Sequence, residues 1–138
     1  MKSYSQFGED LFLLDFFNKT NLNKGYFFEF GAWDGIYLSN CRLFYEQGWS
    51  GCFVEADKKK FLDLQKNYAD KPKIKLLNEF INTTNNTLNN ITKRNQIDKI
   101  DLLSVDIDSK DLSVWKTLNN LKPKFVIIEY NKFIPFDV

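Results

Sequence analysis

The fold is decided by one stretch of the sequence, Tyr26-Phe27-Phe28-Glu29-Phe30-Gly31-Ala32-Trp33-Asp34-Gly35. Its aromatic first half predicts a short buried strand. The glycines of its second half allow a tight turn and a close approach of the backbone to a ligand. The stretch therefore predicts a strand that enters a glycine turn and then a helix.

The same alternation of strand and helix continues on both sides of this stretch. Helices are predicted at 9–17, 39–47, 58–68, 88–94 and 111–121, and strands at 26–30, 51–55, 74–81, 100–107 and 125–130. In the third helix, Asp57 is the expected N-cap. This order is typical of an α/β domain with a mostly parallel five-stranded sheet, flanking helices and an N-terminal helix.

Composition limits the classes of function. The chain has 138 residues, a net charge of +1, no His and two Cys. Its length suits a single domain spanning 1–138. Near-zero net charge gives no basic field for nucleic acid and no attraction to an anionic membrane. The absence of His excludes a Ser-His-Asp triad and His metal ligands. No export signal or membrane span is present, so we expect a cytoplasmic protein with reduced thiols.

Carboxylates stand at the carboxyl end of every predicted strand, where open parallel sheets bind their ligands. They are Glu29 and Asp34, Glu55 and Asp57, Glu79, Asp106 and Asp108, and Glu129. One or two solvated loop acids would mean little. Their presence at all five strand ends predicts a binding site at this edge.

The glycine turn differs from the two common phosphate-binding loops. Trp33 stands where the dinucleotide pattern has its second glycine, and no Gly-Lys-Ser/Thr follows. Glu29 and Asp34 would repel a pyrophosphate. S-adenosylmethionine has no phosphate and carries an ammonium and a sulfonium, which suit an acidic turn. The alternative is a tight strand-to-helix turn without a ligand.

The position of Glu55 in the sequence favours a nucleoside as the ligand. It lies 24 positions after Gly31, at the end of the next predicted strand. Nucleoside-binding α/β folds place an acidic residue near this spacing, where it holds the ribose hydroxyls. The alternative is an exposed loop acid.

Several ordered motifs resemble the FkbM-type family of S-adenosylmethionine-dependent methyltransferases. They are Ser5-Gln6-Phe7-Gly8-Glu9-Asp10, Phe28 to Gly35, Leu38-Ser39-Asn40, Gly48-Trp49-Ser50-Gly51-Cys52-Phe53-Val54-Glu55, Leu103 to Asp108 and Val126 to Asn131. The resemblance extends over nearly the whole chain. It implies a Rossmann-like class I methyltransferase core with strand order 3-2-1-4-5, and it implies O-methylation of a sugar, a nucleotide-activated sugar or another small polar acceptor.

The resemblance also implies which residues hold the cofactor. S-adenosylmethionine would lie over Gly31, with Glu55 on the ribose and Glu79 and Phe80 near the adenine. The full set of cofactor-binding candidates is Gln6, Glu29, Gly31, Ala32, Asp34, Gly35, Ser39, Asn40, Glu55, Ala56, Glu79, Phe80 and Asp106. The alternative from another class of function is a cofactor-binding module without turnover.

Four residues are candidates for catalysis: Asp106, Asp108, Glu129 and Asn131. In one interpretation a carboxylate, Asp106 first, is the general base that takes the acceptor's proton. An aspartate is a weak base unless burial raises its pKa. In a second, less favoured interpretation these oxygens bind Mg²⁺. In a third they are structural or capping residues.

Two features depart from the family pattern. Trp33 replaces a smaller or polar residue, so Trp33 and Tyr37 are either core residues or a rim on which a sugar or base stacks. The chain ends at Val138, soon after the fifth strand, and we expect either a truncated chain or a short natural variant. Strand five would then be an edge that pairs with another copy, unless 132–138 cover it.

Overall fold

The computed structural model describes residues 1–106 and 111–128. Helices and strands alternate along these residues as α1 (Glu9–Lys19), β1 (Tyr26–Phe30), α2 (Arg42–Glu46), β2 (Ser50–Val54), α3 (Lys58–Tyr68), β3 (Ile74–Leu77), α4 (Leu88–Arg94), β4 (Leu102–Val105), α5 (Asp111–Trp115) and β5 (Phe125–Ile128). The predicted α/β class is confirmed.

The described strands form one sheet in the order β3-β2-β1-β4-β5. Every neighbouring pair is parallel. The chain builds β2 and β3 on one side of β1, then crosses to the other side of β1 for β4 and β5. The predicted order 3-2-1-4-5 is therefore confirmed, and the direction of winding reverses between β1 and β4.

The sheet is packed on both faces, because alternate strand side chains point to opposite sides. One face packs against α1, α2 and α3, and its buried residues include Phe17, Phe27, Phe44, Phe53 and Leu64. The other face packs against α4 and α5, and its buried residues include Phe28, Phe30, Leu88, Ile91 and Val114. The result is a Rossmann-like three-layer domain.

The second helix begins three residues later than predicted, at Arg42 rather than Ser39. The Ser39 hydroxyl accepts hydrogen bonds from the backbone N–H groups of Cys41 and Arg42. Residue 39 therefore closes the turn before the helix. Cys41, Leu43 and Phe44 are buried, as predicted.

The third strand is shorter than the predicted 74–81 and ends at Leu77. The Asn78 side chain donates to the backbone carbonyls of Glu55 and Ala56, at 2.8 and 3.2 Å. At Asn78 these side-chain hydrogen bonds take the place of backbone pairing with β2, so the chain leaves the sheet there.

The fourth strand and the fifth helix also differ from their predicted bounds. β4 covers 102–105 rather than 100–107, and residue 107 lies outside the described residues. α5 ends at Trp115 rather than Leu121, because Thr117 bonds back to the carbonyl of Val114 through both its N–H and its hydroxyl. Predicted strand residues 129 and 130 also lie outside the described part of the chain.

Three predicted helices have the expected positions. α1 begins at Glu9, as predicted, and extends to Lys19. α3 covers 58–68, and the Asp57 carboxylate accepts from the Lys60 N–H at 3.0 Å. α4 covers 88–94 and is capped by the Thr87 hydroxyl. Capping side chains fix the starts of α3 and α4, whereas α1 begins after Gly8 without a side-chain cap.

Among the described strands, β5 pairs with β4 alone. An apolar groove of about 280 Å³ lies beside it and is lined by residues that include Trp115, Leu118, Leu121 and Val126. Self-association through strand five stays a prediction. The alternative, in which 132–138 cover this edge, concerns residues outside the described ranges.

Candidate functional site

A cavity of about 90 Å³ opens at the carboxyl edge of the sheet, between β1 and β4. This is the point where the winding reverses, and open α/β sheets bind ligands there. The cavity is lined by Glu29, Phe30, Gly31, Ala32, Trp33, Tyr37, Leu38, Ser39, Asn40, Ser104 and Asp106. Six of these are predicted site residues: Glu29 lies on β1, Asp106 directly follows β4, and the loop between β1 and α2 supplies Gly31, Ala32, Ser39 and Asn40.

A larger groove of about 710 Å³ lies at the opposite, amino edge of the sheet. Two of its lysines are engaged with backbone carbonyls: Lys73 reaches Gly48 at 3.5 Å and Lys75 reaches Asn95 at 2.8 Å. The groove is wide open, and it lies away from the edge where parallel strands present ligand-binding groups. We therefore place the candidate site in the smaller cavity.

Gly31 forms the floor of the cavity. Its φ is +65°, a left-handed value that favours glycine. A β-carbon at Gly31 would overlap the backbone carbonyl oxygen of Asp106. The expected tight turn is present. The group that a side chain at residue 31 would meet is the backbone carbonyl of Asp106, directly after β4, and not a ligand. The absence of a side chain at residue 31 therefore lets the ends of β1 and β4 meet.

Gly35 closes the same turn and is also held by packing. Its φ is +74°, and a β-carbon there would overlap the Tyr68 ring. The Tyr68 hydroxyl donates to the Gly35 carbonyl at 2.6 Å. Gly35 therefore fixes the turn against α3, and it does not line the cavity.

Ala32 and Asp34 hold the turn together between the glycines. The Ala32 N–H donates to the Val54 carbonyl at 3.2 Å, and its carbonyl accepts from the Gly35 N–H at 2.8 Å. The Asp34 Oδ1 atom accepts from the N–H groups of Ile36 and Tyr37, both at 2.8 Å. Asp34 therefore caps the following turn. The sequence had predicted it only as a ligand contact.

Glu29 is a carboxylate buried at the base of the cavity. Its Oε2 accepts from the Ser39 hydroxyl at 2.7 Å, and its Oε1 accepts from the Asn40 N–H at 2.8 Å. Burial raises the pKa of Glu29 from 4.5 to about 7, although these hydrogen bonds act in the opposite direction. Near neutral pH the Glu29 carboxyl is therefore only partly ionised, and a cationic ligand would favour its ionised form.

The raised pKa of Glu29 predicts a pH-dependent stability. Between pH 4.5 and 7 the folded chain binds more protons at this residue than the unfolded chain, so the free energy of unfolding falls as pH rises. We expect a loss of about 3 kcal/mol across this window in the wild type. Denaturant titrations between pH 4.5 and 8 should show that Glu29→Gln removes this slope, whereas the exposed variant Asp63→Asn keeps it. Identical pH profiles for wild type and Glu29→Gln would contradict the assignment.

Asn40 connects three parts of the chain at the cavity wall. Its side-chain amide donates to the Ser104 hydroxyl at 3.0 Å, and its side-chain oxygen accepts from the Ser5 hydroxyl at 2.7 Å. The N-terminal segment therefore touches the wall of the site. Gln6, a predicted cofactor contact, is exposed and adjoins this link.

Two buried polar residues near the site were not among the predicted candidates. Ser104 lines the cavity from β4. Asp10 is buried, and its carboxylate accepts from the Ser3 hydroxyl and from the N–H groups of Tyr4, Ser5 and Leu11. The sequence offered one signal for Asp10, since it stands in the predicted first turn of a helix.

Glu55 lies at the end of β2 and is only 7% exposed. Its Oε1 accepts from the Trp33 N–H at 2.8 Å, and its Oε2 accepts from the Asp57 N–H at 3.0 Å. Glu55 is therefore not an exposed loop acid. Each carboxylate oxygen can accept a second hydrogen bond, so the pair can still receive two ligand hydroxyls.

The predicted adenine region follows β3. Glu79 pairs with Arg94 through Oε1, which ties it to α4. Phe80 is 66% exposed. Ala56 accepts from Asn78 through its backbone carbonyl and follows Glu55 directly. β3 is therefore followed by an exposed aromatic ring, Phe80, and by a carboxylate, Glu79, that is paired with Arg94.

Asp106 is exposed and lines the cavity from the residue after β4. Because β4 ends at Val105, Asp106 lies just beyond the strand and not within it, as the predicted bounds 100–107 had placed it. The other catalytic candidates, Asp108, Glu129 and Asn131, lie outside the described residues.

Trp33 and Tyr37 stand at the mouth of the cavity rather than in the core. Trp33 is 41% exposed and Tyr37 is 61% exposed. Their rings contact edge to face at 5.8 Å. Of the two interpretations offered by the sequence, the rim position is the one observed.

Other chemistries find little support in residues 1–106 and 111–128. No three His, Cys, Asp or Glu side chains among them are grouped so as to hold a metal ion. Cys41 and Cys52 are free thiols whose burial raises their pKa, which disfavours a nucleophilic thiolate. None of the helices in these ranges is long and apolar enough to cross a membrane.

No model of a known protein family matches the chain, and no curated protein matches it either.

Proposed function

We propose that the chain binds S-adenosylmethionine at the β1–β4 cavity and transfers the methyl group to an oxygen of a small polar acceptor. The observation that carries this proposal is the charge of the cavity. Its lining includes the carboxylates Glu29 and Asp106, and no described lining residue is basic. A cation is favoured there and a pyrophosphate is disfavoured.

The polar groups at this edge would contact the amino-acid end and the ribose of this cofactor. The cavity of about 90 Å³ is small compared with ligand pockets of roughly 300–1,000 Å³, so it suits the amino-acid end alone. Glu29 and Asp106 would hold positive charge, and the Ser39 and Ser104 hydroxyls offer hydrogen bonds. Glu55, at the next strand end, would accept from the ribose hydroxyls.

When bound, this cofactor supplies a methyl group that its sulfonium has already activated. The protein's main task is then to position the acceptor oxygen, and a strong base is optional. Asp106, an exposed residue directly after β4, would orient the acceptor hydroxyl and accept its proton as the oxygen forms its new bond to carbon. The proposed reaction therefore needs no metal, and Mg²⁺ bound through Asp106 is the less favoured alternative.

Glu55→Ala tests the proposed ribose contact. We expect it to weaken binding of S-adenosylhomocysteine by about 1–3 kcal/mol, roughly 5- to 150-fold, because the hydroxyls lose a charged acceptor. Titration calorimetry measures this loss.

The same variant also removes the acceptor of the Trp33 and Asp57 N–H groups, so its folding stability should fall as well. Asp57→Ala is the matched control, because it loses the α3 cap, at about 1 kcal/mol of stability, without touching the proposed ribose contact. Equal affinities of Glu55→Ala and Asp57→Ala for S-adenosylhomocysteine would refute the role of Glu55.

A further inference from the structure

The N-terminal segment, residues 3–8, is docked on the domain by one buried carboxylate. Asp10 is fully buried in the first turn of α1. Its Oδ2 atom accepts from the backbone N–H groups of Tyr4 and Ser5, at 2.7 and 3.3 Å, and its Oδ1 atom accepts from the Ser3 hydroxyl. A buried carboxylate that lost these donors would carry a large desolvation cost. The start of the segment is therefore held in one position, although it belongs to no helix or strand.

Tyr4 provides a second anchor for the segment. Its hydroxyl donates to Glu46 Oε2 at 2.8 Å, and the Arg42 guanidinium lies 5.9 Å from the centre of its ring. Both partners belong to α2. The segment is therefore held between α1 and α2, beside the loop that leads from the cavity into α2.

Ser5 connects the docked segment to the cavity wall. Its hydroxyl accepts from the Asp10 N–H at 3.1 Å and donates to the Asn40 side-chain oxygen at 2.7 Å. The side-chain nitrogen of Asn40 donates to the Ser104 hydroxyl at 3.0 Å. Asn40 and Ser104 both line the cavity. One hydroxyl therefore joins the buried Asp10 carboxylate and its segment to the wall of the site.

Asn40 also contacts the buried charge at the base of the cavity. Its backbone N–H donates to Glu29 Oε1 at 2.8 Å. This bond and those from the Ser39 and Ser104 hydroxyls favour the ionised form of Glu29, in opposition to burial. The position of Asn40 therefore helps to set the charge that a cationic ligand meets.

We propose that Ser5 and Asp10 are positioning residues for the cavity, because they hold Asn40 against Glu29 and so keep the site arranged for a cationic ligand. Docking of the segment and binding of the ligand then favour each other, since both depend on the same arrangement of Asn40 and Glu29. Such coupling is reciprocal, so the bound ligand also tightens the docking of the segment. With S-adenosylmethionine as the ligand, this inference rests on the proposed function and adds two residues to that site.

The first measurement needs no ligand. Carbon-13 NMR of the glutamate carboxyl carbons follows the ionisation of Glu29, whose signal is identified by its loss in Glu29→Gln. Ser5→Ala should raise the pKa of Glu29 above its wild-type value of about 7, because the Asn40 N–H is held less firmly. Ser5→Thr keeps the hydroxyl and should restore the wild-type titration. Ser3→Ala is the matched control, because it removes a hydroxyl from the same Asp10 carboxylate and should leave the titration unchanged.

Other titratable groups near Glu29 do not account for a difference between these variants. Cys41 and Tyr68 are coupled to Glu29, but burial raises the pKa of both, so neither titrates near pH 7. Asp106 is the other carboxylate that lines the cavity, and it is present in every variant.

The second measurement is the affinity for S-adenosylhomocysteine by titration calorimetry at pH 7. Ser5→Ala should weaken binding about three- to tenfold, the scale of one hydrogen bond, because binding must then also order Asn40. Ser5→Thr and Ser3→Ala should each change it less than twofold. In the wild type, S-adenosylhomocysteine should slow hydrogen exchange of the Tyr4 and Ser5 N–H groups, which donate to Asp10.

Three results would overturn the inference: a wild-type titration of Glu29 in Ser5→Ala, equal losses of affinity in Ser5→Ala and Ser3→Ala, or unchanged exchange at Tyr4 and Ser5 when the wild type is saturated. The exchange result is measured on the wild type, so it does not depend on how a variant folds. If the wild type does not bind S-adenosylhomocysteine, the proposed function fails. A raised pKa of Glu29 in Ser5→Ala would still show that Ser5 positions the cavity wall.

Discussion

Gly31→Ala is expected to lower the folding stability of this domain by about 2–5 kcal/mol. Two costs add at this position. The φ of +65° is unfavourable for alanine by about 1–2 kcal/mol. The new β-carbon would also overlap the Asp106 carbonyl oxygen, a backbone atom that cannot move without separating β4 from β1. Overpacking of this kind costs about 1–3 kcal/mol or more, against a total stability of roughly 5–15 kcal/mol for a typical domain.

Gly8→Ala is the matched control for this variant. Gly8 has φ +81°, and no atom lies within 4 Å of a β-carbon built there. It therefore measures the backbone cost without the overlap. Guanidinium denaturation should place the Gly31→Ala midpoint well below that of Gly8→Ala. Equal midpoints would show that the contact with Asp106 is not tight in solution.

Asp106→Asn is expected to reduce methyl transfer about 10²- to 10⁴-fold if the carboxylate is the general base. The substitution preserves shape and removes the ability to accept a proton. Binding of S-adenosylhomocysteine should change little, because Glu29 and Glu55 remain. Formation of S-adenosylhomocysteine from S-adenosylmethionine, with small polar hydroxyl compounds as acceptors, measures turnover, and Asp63→Asn on the exposed side of α3 is the control.

Other outcomes of that experiment have clear meanings. Full activity of Asp106→Asn would refute its role as base. Activity that a chelator abolishes and Mg²⁺ restores would favour the metal interpretation. Wild-type binding of the cofactor without turnover on any acceptor would favour the binding module without catalysis.

The sequence predicted the sheet well because its strands are short apolar runs with glycine or capping residues at their ends. The run Tyr26–Phe30 is buried in the structure as a strand with its predicted bounds. Asp57 starts α3 where a capping side chain is expected. These signals are local, so they can be recognised without knowing the tertiary contacts.

Two of the errors arise where distant residues meet. Ser39 was expected to open a helix, but Glu29 from the neighbouring strand binds its hydroxyl and the helix begins at Arg42. The predicted third strand continued beyond Leu77, but the Asn78 side chain bonds to the chain after β2. Glu29 and the end of β2 lie far along the chain from Ser39 and Asn78, so no local sequence pattern reveals these contacts.

The candidate site shows the same division. The carboxylates at the strand ends were visible in the sequence, and Glu29 and Asp106 meet at the predicted edge. Their environments were not visible, because the burial of Glu29 and the two backbone donors on Glu55 depend on the packed loops. The contact of Gly31 with Asp106 joins residues far apart in sequence, so the residues around either position do not predict it.

The central claim is that the acidic cavity at the β1–β4 switch point binds S-adenosylmethionine. Calorimetric titration of the wild-type chain with S-adenosylhomocysteine and, in parallel, with NAD tests it most directly. The account predicts saturable one-site binding of S-adenosylhomocysteine and no binding of NAD, because a pyrophosphate would face Glu29 and Asp106. Saturable binding of NAD with none of S-adenosylhomocysteine would contradict it.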